Sequence, residues 1–225
     1  MGTKTYNRLE INEIATEFYS KLYAEKPSLS QQEPQNADLT EVVPDFLPSE
    51  IEHVIKNLKP RKSPDPDGIT NEQIKYGGKK LESLLTNLFN KILLSQRIPT
   101  SWKSSDIILI FKKGDKQKIE NYRPISIGDT IGKIFSSVLN NRLKYILESQ
   151  QPNEQAGFRK GFSTIDHLQA INQICEKCYE YKQDVLLLFI DYTKAFDNLN
   201  HKFMLETLNS QGVPRPFIKI IKKLI

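Results

Sequence analysis

The stretch "DVLLLFIDYTKAFDNLNH", residues 184–201, decides how the rest of the chain is read. Six consecutive apolar residues, Val185 to Ile190, read as a β-strand buried on both faces, because a half-exposed strand would alternate apolar and polar side chains. The run ends at a carboxylate, Asp191, and a second, Asp197, follows six positions later. A rigid strand holds the side chain at its C-terminal end in a fixed place. Burying an unpaired carboxylate there would be costly, so Asp191 requires a partner: a basic side chain, backbone N–H groups or a cation. Two readings stay open on these residues alone. Either acid could cap a turn or the following helix, a role that suits Asp197, or Asp191 could ligate a hard cation.

Outward from this stretch the chain alternates helical and strand-like segments. Residues 6–24 carry helical apolar spacing, and a Pro/Ser/Gln-rich linker follows, "KPSLSQQEPQNADLTEVVPDFLPSE". Ser49 opens a short helix, Glu50 to Leu58, closed by Pro60. "KPRKSPDPDGIT", residues 59–70, holds three prolines and a glycine and is a structured turn. Leu81, Leu84, Leu85, Leu88, Phe89, Ile92 and Leu93 predict a long helix with one buried face. "IILIF", residues 107–111, reads as a strand, and "KKGDKQKIENYRP" as an exposed basic turn after it. Ile131, Ile134, Phe135, Val138, Leu139, Leu143 and Leu147 predict a second long helix; Ile165, Leu168, Ile171, Cys175 and Cys178 predict a third. A further helix begins near Asn200 with Phe203, Met204 and Leu208 inward, and residues 217–225 form a basic amphipathic helix without a stop signal, as if the chain were cut inside a larger domain. No repeat is present, and the pattern is that of an α+β or α/β protein, helix-rich with short strands.

Composition narrows the function classes. The chain has 225 residues and a net charge of +5, divided unevenly: residues 1–58 carry net −5 and residues 59–225 carry net +10. A domain boundary is expected there, with an N-terminal helical extension and linker over 1–58. The basic excess would attract a polyanion such as nucleic acid, although a solvated basic surface would show the same totals. No apolar run reaches the length of a membrane span, and "MGTKTYNRLE" lacks the apolar core of a signal peptide, so a nuclear or cytoplasmic location is expected. Two cysteines provide no disulfide framework. Against this basic background an acid on a rigid strand gains meaning. Oxygen-only ligands select Mg²⁺, which binds through one or two carboxylates together with substrate phosphates, and paired ions of this kind serve phosphoryl transfer.

"FIDYTKAFDNLNH" resembles the first catalytic block of the reverse transcriptases of non-LTR, LINE-like retrotransposons: a hydrophobic strand, Asp, three variable residues, then Ala-Phe-Asp. "KSPDPDGI" resembles that family's SPGPDGI turn, "NYRPISI" with "IGKIFSSVLNNRL" its fingers motif and the helix after it, and "NEQAGFRKGFSTIDHL" its next block. Four motifs in the family's order cover about residues 59–225. The resemblance implies the fingers and partial palm of a right-hand polymerase over 59–225, performing RNA-directed DNA synthesis with RNA template, DNA primer and dNTP. It implies Mg²⁺, with Mn²⁺ as an alternative, and a remaining palm and thumb supplied from beyond residue 225.

The implied site follows residue by residue. Asp191 takes the position of the first metal-binding carboxylate, and the backbone carbonyl of Tyr192 that of a further ligand. Phe196 falls on the steric gate against a ribose 2′-OH, although core packing would also explain a ring there. Arg123 matches the fingers arginine on the incoming triphosphate, and Lys112 and Lys113 are similar to fingers lysines with the same task; Arg suits phosphate through its planar fork, Lys as a point charge. Gln155, Gly157, Arg159 and Lys160 in "QAGFRKG" fall near the template, where glycine permits close backbone approach.

Departures from the pattern matter as well. Asp65 stands where the family has Gly, which would be strained if the turn needs positive φ, and Phe162 replaces a common basic residue. The family's Phe/Tyr-x-Asp-Asp and Gln-Gly-x-x-x-Ser-Pro blocks do not occur in these 225 residues. The expectation is therefore a fragment, inactive alone, with a non-catalytic nucleic-acid-binding remnant as the alternative and an inert, poorly folded product as a third. Other signals carry less. "CEKC", Cys175 to Cys178, lacks a second pair and suits core packing; His53, His167 and His201 follow no ligand spacing; no nucleophile elbow or Walker loop appears.

Overall fold

The computed structural model describes residues 6–24, 41–192 and 194–225; most of the expected Pro/Ser/Gln-rich linker, and Thr193 in the block after the strand run, lie outside the described residues. Eight α-helices, two short 3-10 helices and one two-stranded sheet are present among them. In chain order the α-helices and strands are α1 (Arg8–Tyr23), α2 (Pro48–Lys56), α3 (Asn71–Lys75), α4 (Gly78–Ser95), β1 (Ser105–Phe111), β2 (Tyr122–Gly128), α5 (Thr130–Glu148), α6 (Thr164–Glu180), α7 (His201–Ser210) and α8 (Arg215–Leu224).

The helices start where side chains can satisfy the orphan N–H groups of a first turn. Asp129 accepts from Gly132 at 2.7 Å to open α5, and Asn200 accepts from Phe203 at 3.0 Å to open α7. Thr70 and Gln73 cap α3 reciprocally, as Ser163 and Asp166 do α6. At α2 only the glutamate half of such a box exists: Glu50 reaches back to the N–H of Leu47, which has no side-chain acceptor to return.

The core lies between α2, α4, α5 and α8. Phe46, Ile51, Val54 and Ile55 meet Leu85, Phe89, Ile92 and Leu93 of α4, the Ile134, Phe135, Val138, Leu139, Leu143 face of α5, and Phe217 and Ile220 of α8. Phe135 is its hub, edge-on to Phe89 at 5.1 Å and to Phe46 at 6.0 Å, and tilted against Trp102 at 5.4 Å. The helical periodicities of α4 and α5 thus select the buried faces, except that Leu84 points to solvent. α2, on the N-terminal side of residue 58, shares this core. Arg142 ties it down, donating to both carboxylate oxygens of Glu50 at 2.7 Å and to the carbonyls of Pro44 and Asp45, with its guanidinium 4.3 Å from the centre of the Phe46 ring.

Outside the core the sequence reading needs correction. Residues 183–192 carry no regular secondary structure and form no strand, and the run expected to be buried is exposed, with Leu186 at 95 % and Ile190 at 74 %. A strand needs a ladder partner, and among the described residues the only sheet is β1 with β2. α6 likewise buries none of its side chains, and Cys175 and Cys178 are half-buried free thiols rather than core residues. On α7, Leu208 packs against the core while Phe203 is exposed.

Candidate active site

β1 and β2 form an antiparallel hairpin in which Ile110 faces Arg123 and Phe111 faces Tyr122. One step further toward the loop, the Lys112 N–H donates to the Asn121 carbonyl at 2.9 Å. Side chains alternate between faces along a strand, so Ile110, Lys112 and Arg123 share one face, and Lys112 and Arg123 are diagonal neighbours on it. Both are exposed. The loop itself is ordered. Asn121 donates to the Asp115 carbonyl and the Tyr122 hydroxyl to the Lys116 carbonyl, each at 2.9 Å, and the Asp115 side chain accepts from Gln117. Gly114 sits at φ +91°, and an added Cβ would lie 2.9 Å from the Asn121 amide nitrogen, so any other residue in this turn would be strained. Lys113, Lys116 and Lys118 are thereby displayed on a fixed frame beside Lys112 and Arg123. β2 was hidden in the sequence because Arg123 and Pro124 interrupt its apolar pattern; the proline is tolerated because a two-stranded sheet has only edges.

The second group surrounds Asp191. Asp191 and Tyr192 are exposed at the end of this irregular segment, and a turn at 194–198 precedes α7. In that turn the Asn198 N–H donates to the Lys194 carbonyl at 3.0 Å, and Phe196 is exposed, its ring 5.8 Å from Phe158 in an edge-on contact. The structure therefore brings the Gln155–Gly161 loop and the Phe196 turn together. It does not join either, by hydrogen bond or ion pair among the described residues, to the hairpin pair Lys112 and Arg123. Asp197 does not cap α7, a role taken by Asn200; it accepts instead from the hydroxyl of Tyr23 on α1, at 3.2 Å.

Within the loop, Arg159 donates to the carbonyls of Pro152 at 2.8 Å and Gln155 at 3.2 Å and lies over the Phe162 ring at 4.5 Å. Its guanidinium shapes the loop from inside, while Lys160 stands exposed. Gln155 donates to the Gly157 carbonyl at 3.2 Å. The aromatic at 162, which looked like a lost charge, is thus the platform on which Arg159 rests.

Asp65 resolves the other departure. It is 5 % exposed, and the positive φ angles of the 59–70 turn fall on Arg61 and Gly68, not on Asp65, so no strain attends the acid. Its carboxylate accepts from Ile69 at 2.7 Å and from Thr130, the first residue of α5, at 2.9 Å. Burial pushes its pKa up, but the N–H groups of Thr130 and Ile69 outweigh that and hold it below the usual carboxylate value. No pattern in the sequence points to a bond across 65 residues.

For a metal, the donors at 191 and 192 are hard oxygens, the chemistry Mg²⁺ takes. Their number is insufficient: no group of three or more His, Cys, Asp or Glu residues converges among the described residues. A single carboxylate does not make a two-ion centre.

Residues 110–225 match the family described as reverse transcriptase (RNA-dependent DNA polymerase), and the chain belongs to that family. Similar proteins include the probable RNA-directed DNA polymerases from transposon BS and from transposon X-element of Drosophila melanogaster, 30% and 31% identical over 78% and 80% of this chain. The Pol polyprotein from type-1 retrotransposable element R1 of Bradysia coprophila is 31% identical over 74% of it. The chain spans about one fifth of the length of these relatives, since 20%, 20% and 17% of each is covered. The resemblance to retrotransposon reverse transcriptases carried by the four motifs is thereby established.

Proposed function

We propose that this chain supplies the fingers and the first part of the palm of an RNA-directed DNA polymerase that copies RNA template from a DNA primer by Mg²⁺-dependent nucleotidyl transfer. The observation that carries this reading is the family match over 110–225, which includes both the hairpin and the Asp191 segment. In this reading Lys112, Lys113 and Arg123 grip the triphosphate of the incoming dNTP; a guanidinium fork beside a flexible ammonium on one strand face suits three phosphates. Asp191 and the Tyr192 carbonyl would hold an ion through oxygen, and the ion, once its remaining ligands were present, would supply charge stabilisation at the α-phosphate. Phe196 closes the sugar site against a 2′-OH, and Gln155, Gly157 and Lys160 line the template, with Arg159 holding their loop in shape.

Nucleotide binding tests this directly. The chain should bind Mg-dTTP in equilibrium titration, and Arg123→Ala and Lys112→Ala should each weaken it about tenfold, equivalent to about 1.4 kcal/mol. Equal affinity of both variants and wild type would refute the assignment. Primer extension by these 225 residues alone should give no product, because no Phe/Tyr-x-Asp-Asp block occurs in them. A second reading rests on the net +10 of residues 59–225: a nucleic-acid-binding remnant without catalysis. It predicts salt-dependent RNA binding indifferent to Asp191→Asn, with no dTTP binding at all.

A further inference from the structure

The helix farthest from Asp191 in sequence touches the turn that follows it. α1 is exposed over most of its length, and Tyr19 is its only buried residue, at 7 %. Phe18, Tyr19 and Tyr23 form a ring cluster: Phe18 is edge-on to Tyr19 at 5.2 Å, and Tyr19 stacks on Tyr23 at 5.9 Å. Both ends of the 194–197 turn are anchored on this cluster. The Lys194 ammonium lies 4.4 Å from the centre of the Phe18 ring, and the Tyr23 hydroxyl donates to Asp197. Phe196, between these two anchors, therefore has its backbone fixed from α1 while its ring points to Phe158. Lys194 is held at φ +48° and Phe158 at φ +63°, conformations that non-glycine residues adopt only when surrounding contacts impose them. Two such residues flank the one ring proposed to read the sugar.

We propose that Tyr23 is a positioning residue: with Phe18 and Tyr19 it forms an aromatic clamp by which the N-terminal helix fixes the Lys194–Asn198 turn and so sets the place of Phe196. The clamp's bearing on nucleotide selection rests on the sugar-gate reading above; the clamp itself does not. Burial first, and then the Asp197 charge, push the Tyr23 phenol up to about 12, in keeping with a hydroxyl that donates to a carboxylate throughout the physiological range. Tyr19 faces the same phenol and raises it further.

The test compares the full chain with Tyr23→Ala, Tyr23→Phe and Asp197→Asn by hydrogen exchange. The N–H groups of Asn198 and Leu199, bonded to the carbonyls of Lys194 and Phe196, report the turn, and the α5 amides report the core. Exchange at 198 and 199 should rise at least tenfold in Tyr23→Ala, rise less in Tyr23→Phe, and stay near wild type in Asp197→Asn, whose amide oxygen still accepts. The α5 amides should not change. In Asp197→Asn, a ¹³C-labelled tyrosine ring at position 23 should ionise at lower pH, because the negative neighbour is gone. Unchanged exchange at 198 and 199 in Tyr23→Ala overturns the clamp. If Tyr23→Ala also loosens α5, the isosteric Tyr23→Phe decides, and wild-type exchange together with an unmoved Tyr23 titration in Asp197→Asn overturns it equally. Preference for dUTP over UTP, which differ only at the 2′-OH, then separates the two ideas. If Phe196→Ala leaves that preference intact, the sugar gate fails while the exchange result stands; if both hold, Tyr23→Ala should relax the preference by several-fold.

Discussion

At the scale of single residues, two charges held against the core fasten the fold, one buried and one half-buried. Asp65 joins the proline-rich turn to the start of α5 by accepting from the N–H groups of Ile69 and Thr130, so its loss leaves both donors without that acceptor. Asp65→Ala should lower stability by about 1.5–3 kcal/mol in urea unfolding. The sign of its pH dependence follows from the lowered carboxyl pKa. The contribution is fully present above the unfolded value of about 3.9 and disappears as pH falls through the lower folded value. The stability difference between wild type and Asp65→Ala should therefore be constant from neutral pH to about 5 and shrink below 4. Arg142 behaves differently because its fork is used as a fork: Arg142→Lys keeps the charge but loses the paired bonds to Glu50 and the stacking on Phe46. It should recover little of the roughly 2–3 kcal/mol lost in Arg142→Ala. Arg142 does not stand out in the sequence, and Asp65 does so only as a departure from a glycine, since such an ion looks like any surface ion until its distant partner is known.

At the scale of elements, the long helices were legible because their apolar spacing matches a helical turn and their caps are local. Asp129, Ser163 and Asn200 act on N–H groups two or three residues away. The hairpin was half legible: β1 is an apolar run, but β2 has its pattern broken by Arg123 and Pro124, the former a candidate site residue. The run 185–190 misled for a physical reason. Apolar composition states what a segment would bury, and burial also requires neighbours, which the described residues do not provide. An exposed run of six apolar residues with strand propensity is an association hazard. Leu188→Lys should reduce light scattering at high protein concentration and leave the thermal midpoint within about 2 °C, since Leu188 is 81 % exposed. At the hairpin tip, Gly114→Ala should destabilise the loop by about 1–2 kcal/mol and weaken dTTP binding along with it, because the lysines lose their frame.

Across the whole molecule, stability and candidate function are segregated. The α2–α4–α5–α8 core is closely packed around Phe135, whereas the hairpin, α6 and residues 183–192 expose most of their apolar side chains. Phe135→Ala should cost about 3–5 kcal/mol, and Phe196→Ala less than about 0.5 kcal/mol, measured by chemical denaturation. Amide protection should rank the same way, with α4 and α5 slowest to exchange and α6 among the fastest. The family's motif order was readable from the chain, and so were the candidate residues. Their arrangement was not, because the contacts of Phe196 with Phe158 and of Asp197 with Tyr23 join segments that no periodicity connects.

Trp102, the chain's one tryptophan, lies just ahead of β1 in the chain and packs on the core, against Phe89 and Phe135 and so close to Gly132 that an added Cβ there would lie 3.0 Å from the indole. The molecule thereby carries its own optical probe at the root of the hairpin. Because no second indole contributes, a change in emission wavelength when phosphate-bearing ligands arrive would report a tilt of the hairpin against the helical core, without any label being attached.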